Sequence, residues 1–66
     1  MMILSKLKEQ RIKSNYTYLD MAKMLKISKP FYWQIEHGKR RLTYDMAKKI
    51  AIILKTKPDN LFYDEF

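Results

Sequence analysis

The side chains here that could do chemistry are cations and amides, not nucleophiles. Lys29 and Gln34 lie in the segment S-K-P-F-Y-W-Q-I-E-H-G (28–38), and Lys39-Arg40-Arg41 follow directly. Such groups donate several hydrogen bonds and carry positive charge, so they suit a polyanion with polar edges. The residues of catalysis are missing. There is no cysteine, His37 is the single histidine, and one glycine cannot build a phosphate-cradling loop. No acids pair at catalytic spacing, and His37 has no companion Cys, His or acid cluster to complete a metal-ligand set. The expectation is a protein that is not an enzyme and uses no metal or cofactor.

The charge supports that reading. Net charge is +7, but it is unevenly spread. Residues 1–57 hold all 14 Lys and Arg against four acids (Glu9, Asp20, Glu36 and Asp45), and residues 58–66 hold three acids and no base. A basic body with an acidic end favours an anionic partner, and nucleic acid before a membrane surface, because no helix sets one strongly basic face against one apolar face. The longest apolar run, Ile50-Ala51-Ile52-Ile53-Leu54, is too short to span a bilayer. The opening residues M-M-I-L-S-K lack the apolar stretch of a signal peptide, so a cytoplasmic protein is expected. Hydrophobic residues make up 47% of the 66, enough for one packed domain over 1–66 but a small one, with no disulfide to help it.

The elements that must position these residues are all helical. Leu4, Leu7, Arg11 and Ile12 share one face of a first helix over Ile3–Ser14, closed by Ser14-Asn15. Thr17 caps a second, with Asp20 placed for a capping box and Met21, Ala22 and Leu25 facing in. Ile27 plugs the turn. Ser28 caps a third helix to His37, with Pro30 in its first turn, where a missing N–H costs nothing. Tyr32 and Ile35 face inward, with Glu36 beside them, and Gly38 stops the helix. Thr43 caps a fourth helix to about Lys55, with the stripe Met46, Ala47, Ile50, Ala51 and Leu54. Pro58 opens a short fifth, returning Leu61 and Phe62 to the core. The predicted fold is all-α and compact, with five helices.

Five segments carry a family resemblance: L-K-E-Q-R (7–11), T-Y-L-D-M-A-K-M-L-K-I-S (17–28), Y-W-Q-I-E-H-G-K-R (32–40), A-K-K-I-A-I-I-L (47–54) and D-N-L-F (59–62). In order and over nearly the whole chain, they resemble the Cro/cI-type helix-turn-helix domains, the XRE family, with a lambda-repressor-like fold. The resemblance implies a bacterial or phage transcription regulator, most often a repressor, that binds double-stranded DNA as a homodimer on a palindrome. It makes the third helix (28–37) the element that enters the major groove.

The same resemblance distributes roles. Lys29 and Gln34 fall at base-reading positions, where Lys can donate to guanine and Gln can pair with adenine. Trp33 and Pro30 join the base-facing set. Tyr18, Ser28, Phe31, His37, Lys39, Arg40 and Arg41 fall to the phosphate backbone, with Thr43 and Tyr44 as weaker candidates. Arg11 and Glu36 are the family's structural ion pair; losing one partner of a buried pair costs about 3–5 kcal/mol.

Three departures stand out. Lys26 takes a turn position where glycine is usual, at a cost of about 1 kcal/mol if φ is positive there. Gln10 replaces a frequent apolar residue. Phe31 and Trp33 put two large aromatics on the outer face of the third helix. They could contact thymine methyls or sugar edges, or mark a docking surface for a protein partner, as an antitoxin-like or enzyme-inhibiting module would need, or one of them could fold against neighbouring helices and be only partly exposed. With no separate oligomerisation domain in view, Tyr63 and Phe66 are the candidates for a two-fold contact.

Overall fold

The computed structural model describes residues 4–62 as five helices. They are α1 (Ser5–Lys13), α2 (Tyr18–Leu25), α3 (Lys29–Glu36), α4 (Tyr44–Ile53) and α5 (Pro58–Phe62). Among the described residues there is no strand, in keeping with the all-α architecture expected from the sequence. Tyr63 and Phe66 lie outside the described residues, as does Ile3.

The starts of α2, α3 and α4 follow from their capping residues. Thr17 Oγ1 accepts the Asp20 N–H at 3.1 Å, and Asp20 Oδ2 accepts the Thr17 N–H at 2.9 Å, a complete capping box. Those two bonds hold the Asp20 carboxyl below its ordinary pKa, the backbone bond from Thr17 contributing most. Ser28 and Thr43 cap α3 and α4 by accepting the N–H of Phe31 and Met46 at 3.2 Å each. A capping hydroxyl that accepts still has its own hydrogen to donate.

The ends share a single device. α1 to α4 each close on a left-handed residue: Asn15 (φ 62°), Lys26 (φ 59°), Gly38 (φ 69°) and Lys55 (φ 57°). After each, the next N–H reaches back across the last turn: Tyr16 to Arg11 O, Ile27 to Ala22 O, Lys39 to Gln34 O and Thr56 to Ala51 O, all at 2.8–3.1 Å. These are Schellman closures. Only Gly38 uses the residue that enters this region freely. The left-handed backbone at Lys26 was foreseeable; the same strain at Lys55 was not.

Every helix contributes to one core. Leu7, Met21, Ala22, Tyr32, Ile35, Ala47, Ile50, Ala51, Leu61 and Phe62 are fully or almost fully buried, with Leu4, Leu25 and Leu54 at its margin. One inward assignment fails: Ile12 is 54% exposed. It directly follows the inward-facing Arg11, and the 100° step along the helix carries it past the edge of the buried stripe. Met46 is half-buried beside the core rather than within it. α1 and α4 also end before the expected residue, because Ser14 and Leu54 already have non-helical cap geometry.

Candidate nucleic-acid interface

α3 is gripped from inside by an ion pair. Arg11 of α1 donates from Nε to Glu36 Oε2 at 2.9 Å and from Nη2 to Oε1 at 3.0 Å. Its third donor, Nη1, bonds the Tyr16 carbonyl oxygen at 2.9 Å. Glu36 is fully buried, so the pair ties α1, the α1–α2 turn and the end of α3 at one point. Burial alone would lower the Arg11 pKa; the hydrogen bond and charge of Glu36 outweigh it and hold the guanidinium above its ordinary value. The Leu4 N–H also bonds the Glu36 carbonyl at 2.9 Å.

Beside the pair, Tyr32 is fully buried and its hydroxyl makes no well-formed hydrogen bond among the described residues. Burial first, and then the negative Glu36 carboxylate, push its pKa far above the ordinary phenol value. Tyr18 stands over this network. Its ring lies 4.3 Å from the Arg11 guanidinium carbon and 6.2 Å from the Tyr32 ring. Tyr18 therefore joins a half-buried aromatic layer rather than projecting alone from α2.

The outer face of α3 carries the polar groups. Lys29 and Pro30 are exposed at its N-terminal end, beside the exposed Ser28 cap. Gln34 is half-buried, and its Oε1 accepts a hydrogen bond from Arg40 Nε at 3.1 Å. The same Arg40 guanidinium lies 4.1 Å over the Phe31 ring. Phe31 packs its other side against the core, so it is not the free outer aromatic that helical spacing suggested. Trp33 is 37% exposed and stacks on His37, ring centroids 3.9 Å apart at 15°. His37 Nδ1 lies 2.9 Å from the Trp33 carbonyl oxygen.

Lys39, Arg40 and Arg41 are all exposed in the segment between α3 and α4. Thr43 and Tyr44 are exposed where α4 begins, with the Lys48 ammonium 5.7 Å from the Tyr44 ring centroid. The structure thus gathers Gln34, Phe31 and Arg40 into one cluster, and Trp33 with His37 into a second. Neither was visible in the sequence. A cation or donor C-terminal to an aromatic or amide was the available signal, but its direction depended on the turn at Gly38. Among the described residues no group of three or more His, Cys, Asp or Glu is placed to hold a metal ion. No described helix is long and apolar enough to cross a membrane.

Two helices joined through the left-handed Lys26, the second locked from behind and polar in front, define a helix-turn-helix protein. The Helix-turn-helix family model matches residues 7–61, and the chain belongs to that family, in its Cro/cI-type branch of DNA-binding transcription regulators. Comparison with curated proteins and with solved structures gives no match.

Proposed function

We propose that this protein is a sequence-specific repressor that occupies a palindromic operator as a homodimer, with α3 in the major groove. The observation that supports this reading most is the outer face of α3. It offers Lys29 and Gln34 as exposed or half-exposed hydrogen-bonding groups on a helix whose inner face is immobilised. Trp33 and Pro30 flank them toward the bases. Ser28 and Thr43, each accepting a helix N–H, keep a hydroxyl hydrogen for phosphate. Lys39, Arg40, Arg41, Tyr18, Tyr44, His37 and the edge of Phe31 complete the backbone contacts. Gln34 Oε1 must exchange its bond from Arg40 for one from adenine, which frees Arg40 for phosphate in the same step.

The dimer contact falls to Tyr63 and Phe66, beyond the described residues, and the site of action is the cytoplasm. An alternative role, docking a protein through Phe31 and Trp33, has less support. Phe31 is covered by Arg40 and the core, and one face of Trp33 is covered by His37, so the two do not form an open apolar patch.

The test is selection from a random duplex pool at two salt concentrations, with the wild type and with Lys29→Ala/Gln34→Ala. The expected result is enrichment of a palindromic site, an affinity falling steeply with salt, and loss of site preference in the double variant. Binding without enrichment would sink the sequence-specific reading.

A further inference from the structure

The only histidine and the only tryptophan of the chain are stacked on each other, at the edge of the face assigned to DNA. The contact determines which edge of the imidazole is free. A carbonyl oxygen can only accept, so the 2.9 Å contact between His37 Nδ1 and the Trp33 carbonyl requires the proton to be on Nδ1. The same carbonyl accepts the His37 backbone N–H at 3.0 Å, which fixes residue and ring together against the last turn of α3. Trp33 covers one face of the ring, and the Tyr18 ring lies 6.1 Å away on the side of α2. Nε2 is therefore the nitrogen left for an outside partner. In neutral imidazole with the proton on Nδ1, Nε2 is a bare acceptor. Phosphate oxygens are acceptors too, so the neutral ring has no donor to offer a phosphate.

We propose that His37 binds a DNA phosphate only as the imidazolium, so that DNA binding by this protein takes up a proton at the Trp33–His37 stack. This rests on the DNA-binding reading above and adds a pH dependence to it. The second proton, on Nε2, supplies at once the missing donor and a positive charge for a charge-assisted bond to phosphate.

The surroundings do not mask the effect. From α3, the ring meets Trp33, while the Glu36 side chain is buried inward and bonded to Arg11. From α2 it meets Tyr18, and behind Tyr18 stands the Arg11 guanidinium of α1. Beyond the helix end lie the exposed Lys39, Arg40 and Arg41. No carboxylate hydrogen-bonds the ring among the described residues. Histidine is the side-chain type that ordinarily changes charge between pH 5 and 8.

The experiment measures affinity for a labelled, mixed-sequence 20-base-pair duplex at pH 5.5 and 8.0 and constant ionic strength, an order-of-magnitude footprint for one domain. The wild type and His37→Gln are compared, with circular dichroism confirming that both are folded. Glutamine keeps a donor that does not titrate. The wild type should bind about three- to tenfold tighter at the lower pH, with a salt slope steeper by about 0.9 there, and His37→Gln should lose both differences.

Trp33 supplies a second readout. Its fluorescence reports the charge of the ring stacked on it, and linkage requires added duplex to move that transition to higher pH. Equal affinity at both pH values, a pH dependence that survives in His37→Gln, or a fluorescence transition unmoved by duplex would overturn the proposal. Absence of binding at either pH would instead bring down the DNA-binding reading on which it stands.

Discussion

The two faces of α3 are built on opposite terms. The inner face is Tyr32, Ile35 and Glu36, each buried, and its one charge is matched by a guanidinium with all three of its donor nitrogens engaged. The outer face is Lys29, Trp33, Gln34 and the Arg40 that folds back on it, held by single hydrogen bonds, a stack and a cation over a ring. Inside, a lost partner strands a charge in a place water cannot reach. Outside, solvent replaces any partner at little cost. Such a helix is rigid and adaptable together, because position is set on one side and contacts are exchanged on the other.

The largest effect that tests this contrast is on the inner face. Arg11→Met should cost about 3–5 kcal/mol in urea unfolding, and adding Glu36→Leu should recover most of that loss. A loss below about 1 kcal/mol would mean that the pair behaves as a surface pair, and the contrast would break.

Next comes Tyr32. Its folded pKa is raised, by burial first and by Glu36 second, so the folded state keeps a proton that the unfolded chain gives up. Stability from this group is fully present below the ordinary phenol value of about 10 and falls as pH rises past it. Tyr32→Phe should flatten that alkaline decline and leave neutral-pH stability unchanged or up to about 1 kcal/mol higher. Alkaline unfolding curves that coincide for the two proteins would remove Tyr32 from the account.

A smaller effect lies in the helix ends. Lys26→Gly should stabilise by up to about 1 kcal/mol in thermal or urea unfolding, because the left-handed backbone is already in place and glycine enters it without a Cβ penalty. The smallest effect on stability belongs to the outer face. Arg40→Ala should change unfolding by no more than about 0.5 kcal/mol, yet reduce the salt slope of duplex binding by about 0.9. A large stability loss there would mean that the outer cluster also holds the fold.

Much of this was legible from residue types at fixed spacing. Thr17, Ser28 and Thr43 announce helix starts because a short side-chain oxygen reaches a backbone N–H within the same turn. The stripe Ala47, Ile50, Ala51 announces a buried face for the same local reason. Ile12 is exposed despite its spacing, because spacing gives an angle around the helix but not how wide the covering neighbours are. The left-handed turn at Lys55 has no signal in the sequence, because no glycine or asparagine marks it.

The five helices, their caps, the apolar stripes and the basic stretch after α3 can be read from residue order, since each depends on neighbours within about a turn of one another. Residue order does not record that Arg11 places its third donor on the Tyr16 carbonyl, that Arg40 closes over Phe31 and Gln34, or that His37 lies flat on Trp33. Those contacts depend on how the chain leaves one helix and where the next one packs. A change of a few degrees at Gly38 or in the α2–α3 crossing would aim the same side chains elsewhere, and no pattern of residue types records that angle.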